Sequence, residues 1–132
     1  MADYQLFING EYVDAQSGET FTTIDPGTGQ PIAEIAKAGR EDSVRAIEAA
    51  RKAFDEGPWP RMSGPERGAK LNEIADAIEA KAGAFAEMEA RDGGGTIKKA
   101  TFADVPGAVG AFRWFAKLAT EEAEEIEVPG TP

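Results

Sequence analysis

Ser63-Gly-Pro-Glu-Arg-Gly-Ala-Lys-Leu-Asn-Glu-Ile-Ala-Asp-Ala-Ile-Glu-Ala-Lys-Ala-Gly-Ala-Phe-Ala-Glu-Met-Glu-Ala-Arg-Asp92 is the stretch on which the fold class turns. Leu71, Ile74, Ile78, Ala82, Phe85 and Met88 recur at steps of three and four, which places them on one face of a helix. Ser63 and Glu66 have the spacing of a capping box, and Pro65 falls in the first turn, where its missing N–H costs nothing. Gly93-Gly94-Gly95 stops the helix. Gly83 is a point at which it can split in two, since a mid-helix Gly costs about 1 kcal/mol relative to Ala. The stretch reads as a packing element with no evident catalytic group.

Ahead of it lies a β-rich arm. Leu6-Phe-Ile-Asn-Gly-Glu-Tyr-Val13 predicts a hairpin, because Asn9-Gly10 supplies a two-residue turn between aromatic and β-branched residues. Ser17-Gly18 marks a second turn, Thr20 to Ile24 a strand, and Pro31 to Ala36 another. Between those strands Asp25-Pro26-Gly27-Thr28-Gly29 is a loop: Pro26 biases Asp25 away from helix. Gly27-Thr28-Gly29 fails as a dinucleotide fingerprint, since no buried strand leads into it and no helix follows.

Glu41 to Glu56 predicts an amphipathic helix with Val44, Ile47, Ala50 and Phe54 on one face and Glu41 and Asp42 at its positive end. Gly57-Pro58-Trp59-Pro60 ends it. A last helical region runs from about Lys98 to Glu122, with a start or kink near Val105 imposed by Pro106. There Val109, Phe112, Ala116 and Ala119 share one side, while Trp114 and Leu118 lie on the other. Two apolar sides fit either a missing partner surface or an ordinary half-exposed Trp. The acidic run Glu121, Glu122, Glu124, Glu125 and Glu127 reads as a solvated helix end, and Val128 to Pro132 as a linker leading onward.

The 132 residues suit one domain, and 42% hydrophobic with 29% charged residues is a globular composition. A net charge of −10, from 24 acidic and 14 basic residues, argues against nucleic acid and anionic membranes as partners and suits a cytoplasmic protein. No apolar run approaches the roughly 20 residues of a membrane span, and the N-terminus does not read as a signal peptide. The chain has no Cys and no His, which removes thiolate nucleophiles, Cys/His zinc sites and His general bases from these residues. Carboxylates, Lys, Arg, Tyr, Ser and backbone groups remain.

Leu6-Phe7-Ile8-Asn9-Gly10-Glu11-Tyr12-Val13-Asp14-Ala15, followed by Asp25-Pro26-Gly27-Thr28-Gly29, resembles the opening of the NAD(P)-dependent aldehyde dehydrogenases. The helix carrying Ala49-Ala50-Arg51-Lys52-Ala53-Phe54 and closed by Gly57-Pro58-Trp59-Pro60-Arg61-Met62 continues the likeness, as does Phe112-Arg113-Trp114-Phe115-Ala116. Asp92-Gly93-Gly94-Gly95 stands where that family usually has Asp-x-Gly-Lys-Pro, so Gly95-Thr96 is a local departure. The likeness runs from about Leu6 to Gly130 with every element in order, but only over the N-terminal quarter or so of such an enzyme. It implies an α+β fragment of an α/β enzyme: a β-arm over residues 1–36, a helical layer of about four helices over 41–122 that packs on the cofactor domain, and a linker over 123–132.

The resemblance also implies sites. In many family members two adjacent backbone carbonyls and the Asp ending the long helix hold a monovalent cation, Na+ or K+, and these match Thr23, Ile24 and Asp92, with a further ligand beyond residue 132. Alternatively, Asp92 caps the N–H groups of the glycine turn. Ala103 and Gly107 match positions on the wall of the substrate tunnel, and both are small, which leaves room for a bulky aldehyde unless other tunnel residues fill the gap. The catalytic Cys, the Glu base, the oxyanion Asn and the Rossmann units lie downstream in the family, so no catalytic or NAD-binding residue is expected here.

Three functions remain open on the sequence. The first is a scaffold segment of a dehydrogenase oxidising an aldehyde to a carboxylate with NAD or NADP, inactive alone, whose partners are the remainder of the enzyme or further copies in a homo-oligomer. The chain is then a truncation, a proteolytic fragment or half of a split enzyme. The second is a stand-alone interaction or self-association module built on the aromatic helix. The third is carboxylate-based catalysis by the chain itself, for which no apolar pocket is evident. In a complete enzyme carrying this segment, Gly107→Met should raise KM for large aldehydes more than for small ones. An equal effect on both, in a series of aldehydes of increasing size, would contradict Gly107 as a wall residue.

Overall fold

The computed structural model describes residues 2–121. Its arm consists of two separate two-stranded antiparallel sheets, β1 (Leu6–Ile8) with β2 (Glu11–Val13), and β3 (Thr20–Ile24) with β4 (Pro31–Ala36). Asn9 and Gly10 both take positive φ, 54° and 85°, as the tight hairpin turn requires. The turn sets the register: Leu6 faces Val13 and Phe7 faces Tyr12, whose rings lie 5.0 Å apart. In the second sheet a register shift falls between Thr23 and Ile24. Thr20 and Thr22 donate their hydroxyls to the carboxylate of Glu34 across the strands, and these two bonds hold its pKa below the ordinary value. The N-terminus adds along β4, with Ala36 N–H donating to the Tyr4 carbonyl at 2.9 Å.

The helical layer follows in order: α1 (Arg40–Glu56), a 3-10 turn (Trp59–Arg61), α2 (Gly64–Glu79), α3 (Ala82–Gly93), a single turn α4 (Ile97–Lys99), a π-helical stretch (Ala100–Asp104) and α5 (Val105–Leu118). Ser63 caps α2 as its spacing predicts: its N–H donates to the Glu66 carboxylate at 2.7 Å, and its hydroxyl oxygen accepts from Glu66 N–H. The long stretch does divide, at Lys81, two residues ahead of Gly83. The irregularity expected near Val105 is also present, as π winding rather than a simple bend.

Asp42 joins arm to layer. It is 1% exposed, and its carboxylate accepts the Gln16 N–H at 3.2 Å and the Gly39 N–H at 3.0 Å, with Arg45 3.7 Å away. The sequence marked it as a favourable charge at a helix start. The fold adds that it fastens the turn after β2 to α1.

α2 and α5 pack closest. A Cβ on Gly64 would stand 2.1 Å from the Ala119 carbonyl oxygen, and one on Gly68 would stand 2.7 Å from that of Ala116. Ala75, Val109 and Ala116 are buried in this seam. Arg113 reaches from α5 to Asp76 at 3.0 Å and Glu79 at 2.6 Å on α2. Beyond it Ala86, Ala100 and Val105 form a small core, flanked by Ile78, Ala82 and Ala90.

Helical periodicity placed the large apolar residues together, but the chain itself covers other faces. Val44, Ile47 and Phe54 on α1 are exposed, while Ala46 and Ala49, half-buried, line the groove between α1 and the hairpin. Ile74, Phe85 and Met88 are exposed, while Ala75 and Ala86 are buried. On α5 the expected division holds: Val109 and Ala116 are buried, and Trp114 and Leu118 are exposed. Periodicity reports amphipathicity, not which neighbour covers the stripe. The acidic run after Glu121 and the linker expected over 123–132 lie outside the described residues.

The seam has a diagnostic sign. Gly→Ala inside a helix ordinarily stabilises by up to about 1 kcal/mol. Gly110→Ala, whose added methyl meets nothing within 4 Å, should do so. Gly68→Ala should destabilise by about 1–3 kcal/mol instead, because the methyl meets backbone. Urea unfolding of both variants checks this, and a stabilising Gly68→Ala would contradict the close approach.

Candidate functional site

The β3–β4 loop meets the end of α3. Thr23 Oγ1 donates to Asp92 Oδ1 at 2.9 Å. Gly94 ends the helix at φ +68°, and a Cβ there would stand 2.6 Å from Pro26 Cγ, so a side chain is barred both by conformation and by the loop. The loop is held by its own Asp25. That carboxylate accepts Gly27 N–H at 2.8 Å and Thr28 N–H at 3.2 Å, and its backbone carbonyl accepts Gly29 N–H at 2.7 Å. The Gly27 N–H, opposed by desolvation and helped by Thr28 and Arg91, holds the Asp25 carboxyl below its ordinary 3.8.

The structure thus brings Thr23 and Asp92 together over 69 residues of sequence. Ile24 stands beside them, exposed, just past the register shift. Among the described hydrogen bonds, the Asp92 carboxylate accepts from the Thr23 hydroxyl. No group of three or more Asp, Glu, His or Cys side chains able to hold a metal ion occurs among the described residues.

Ala103 lies in the π stretch and Gly107 in the first turns of α5. Both are exposed, and a Cβ on Gly107 would meet nothing within 4 Å. Beside them a groove of about 470 Å³ is lined by Ile78, Phe85, Glu89, Asp104, Val105 and Ala108. This corrects the expectation that the acids have no apolar pocket near them: Glu89 and Asp104 stand at one. Asp104 is paired with Lys99, whose Nζ lies 2.6 Å from each carboxylate oxygen and whose pKa is raised by that bond. The carboxylates whose pKa values move clearly, Asp25, Glu34 and Glu66, all move down, because N–H and O–H donors favour the ionised form. A general acid working near neutrality needs the opposite shift.

Sequence reasoning missed the Gly94–Pro26 seat, the α2–α5 glycine seam and the Lys99–Asp104 pair. The Gly64 and Gly68 spacing of four was the available signal for the seam. Nothing local signalled the Gly94–Pro26 seat, which depends on residues meeting across the fold, and the Lys99–Asp104 pair left only its i,i+5 spacing, which regular α winding does not bring together.

The comparisons with known proteins agree in detail. The model of the "Aldehyde dehydrogenase family" matches residues 12–131. The "Aldehyde dehydrogenase family 2 member C4" of Arabidopsis thaliana is 49% identical over 115 residues, which is 87% of this chain and 23% of that protein. The "NADP/NAD-dependent aldehyde dehydrogenase PuuC" of Escherichia coli (strain K12) is 45% identical over 122 residues, 92% of this chain and 25% of that protein. Among solved structures, an NAD-dependent aldehyde dehydrogenase from Sinorhizobium meliloti superposes with a TM-score of 0.82 at 36% identity, covering 86% of this chain and 23% of the other. An indole-3-acetaldehyde dehydrogenase of P. syringae in complex with NAD+ gives 0.89 at 34%, covering 98% and 26%. The chain therefore spans about a quarter of the length of the relatives it matches. From its hairpin to the helices beyond the glycine run, this chain belongs to the aldehyde dehydrogenase family.

Proposed function

We propose that the 132-residue chain is the N-terminal scaffold of an NAD(P)-dependent aldehyde dehydrogenase that oxidises an aldehyde to a carboxylate. The observation that carries this reading is the uncovered apolar surface. Ile47, Phe54, Phe102, Trp114 and Phe115 are 68%, 63%, 76%, 56% and 58% exposed, while the buried interior is mostly Ala. A layer whose large side chains face outward is built to receive a second layer. Its match to about a quarter of its relatives' length supports a continuation as that layer.

In this reading the remainder of the enzyme supplies the Cys nucleophile, which this chain lacks entirely, together with the general base and the NAD or NADP site. Thr23, Ile24 and Asp92 contribute to a Na+ or K+ site that other residues complete. Ala103 and Gly107 form part of the aldehyde wall. The complete enzyme is cytoplasmic and a homo-oligomer, in keeping with its acidic charge and its outward apolar faces.

A second reading is a self-associating module, favoured by the exposed line Trp114, Phe115 and Leu118 on α5. One experiment separates them. The chain is mixed with the carboxy-terminal remainder of a family member, and NADH formation is followed with a panel of aldehydes. The scaffold reading expects no NADH from the chain alone and activity from the mixture. Turnover by the chain alone would overturn the assignment of the chemistry to missing residues. An inactive mixture, with the chain a compact, cooperatively melting monomer by light scattering, would overturn the need for any covering layer; a discrete oligomer would favour the module. In the complemented enzyme, replacing Na+ and K+ by choline should lower the melting temperature of the wild type but not of Asp92→Asn. Equal responses would remove Asp92 from the cation site.

A further inference from the structure

The π-helical stretch Ala100–Asp104 interrupts an otherwise α-helical rod immediately ahead of Pro106. Its opening turn is ordinary: Thr96 caps it, and Ala100 N–H donates to the Thr96 carbonyl four residues back, at 3.1 Å. Then the winding widens, and Val105 N–H donates to the Ala100 carbonyl five residues back. Pro106 explains why a change of winding is favoured here. In an uninterrupted α-helix its ring would crowd the carbonyl of Phe102, and it has no N–H to offer. Proline does not by itself choose how the conflict is resolved, since a kink is the commoner outcome.

Lys99 and Asp104 supply the choice. They are five residues apart. In an α-helix, residues at that spacing point roughly 140° apart around the axis. In i→i+5 winding they come onto one side. Here Lys99 Nζ lies 2.6 Å from each oxygen of Asp104, so the pair is made in the winding observed. The Asp104 side chain is 30% exposed, at the groove that also holds Glu89, Phe85 and Ile78. Glu89, on α3, adds attraction for the same ammonium. An exposed ion pair is a small effect on its own. It decides between windings here because Pro106 has already disfavoured the regular alternative.

We propose that Lys99 and Asp104 are positioning residues whose ion pair holds the π winding, and through it the angle about the helix axis between Ala103 and Gly107. This rests on the reading of those two residues as aldehyde wall. Ala103 lies on the wide turn and Gly107 beyond it, so a return to α winding, with fewer residues per turn, would rotate one against the other about the helix axis. The wall would then present a different cross-section to the substrate, with no change in any residue that touches it. Lys99 and Asp104 touch neither aldehyde nor cofactor in this account.

The lock is tested on the 132-residue chain itself. The coupling across the Val105 N–H to Ala100 carbonyl hydrogen bond, measured by NMR, reports the winding directly. Lys99→Met and Asp104→Asn should each lose it. Lys99→Arg should keep it, and the exchanged pair Lys99→Asp with Asp104→Lys should restore it, which separates the winding from general damage to the fold. Persistence of the bond in both single variants would overturn the lock. The wall role is tested in a complemented, active dehydrogenase. Lys99→Met should change the ratio of KM between a large and a small aldehyde by roughly tenfold while kcat for the small one holds, and Lys99→Arg should not. A winding that changes with no change in that ratio would overturn the positioning role, whereas absence of NADH from the wild-type mixture would count against the dehydrogenase reading itself and leave the NMR result standing.

Discussion

Two glycines set the depth of the helical layer. With hydrogen in place of a side chain, Gly64 and Gly68 let the backbone of α2 press onto the carbonyls of Ala119 and Ala116 on α5. That contact leaves room between the helices only for small groups, and the buried residues beside it are accordingly Ala75, Ala116 and Val109. Arg113 closes the edge against Asp76 and Glu79. Close backbone packing gains dispersion contacts at short range, but it displaces large side chains from the seam. They go to the outer faces of the layer, where no described residue covers them. The exposure of this layer's large side chains follows from the same glycines that hold it together.

Two carboxylates tie the arm to the helical layer across distant segments. Asp42 binds the N–H groups of Gln16 and Gly39, and Asp92 binds the hydroxyl of Thr23. The second tie places the loop at Asp25 against the glycine end of α3, where Pro26 fits the space that a side chain on Gly94 would fill. Gly94 therefore serves the loop as much as the helix. The departure from the usual family residues at Gly95-Thr96 starts immediately beyond this seat, and Thr96 has a use of its own as the cap of α4.

Local chemistry was legible in the sequence. Asn9-Gly10 announced its hairpin, Ser63 with Glu66 its cap, and Pro106 a disturbance at Val105, because each effect is confined to a few neighbouring residues. The order of these elements was enough to recognise the family. What escaped was set by contacts across the chain. The stripe of Leu71, Ile74, Ile78, Phe85 and Met88 was found, but only tertiary packing could say that Ala75 and Ala86 would be the buried members. Thr23 and Asp92 were paired on resemblance alone, and the fold joins their side chains. Ala103 and Gly107 stand out only through the family resemblance, and the π winding next to them leaves no mark in the sequence beyond an i,i+5 Lys–Asp pair that an α-helical reading ignores.

A scaffold role requires the outer face of α5 to be a covered surface in the working protein. Fluorescence quenching of Trp114 by acrylamide, in a Trp59→Phe background, reads that face directly. In the isolated chain Trp114 should be freely quenched, and adding the carboxy-terminal remainder of a family dehydrogenase should protect it as NADH-forming activity appears. A Trp114 that stays equally accessible while activity is gained, or that is already protected in a monomeric isolated chain, would contradict it.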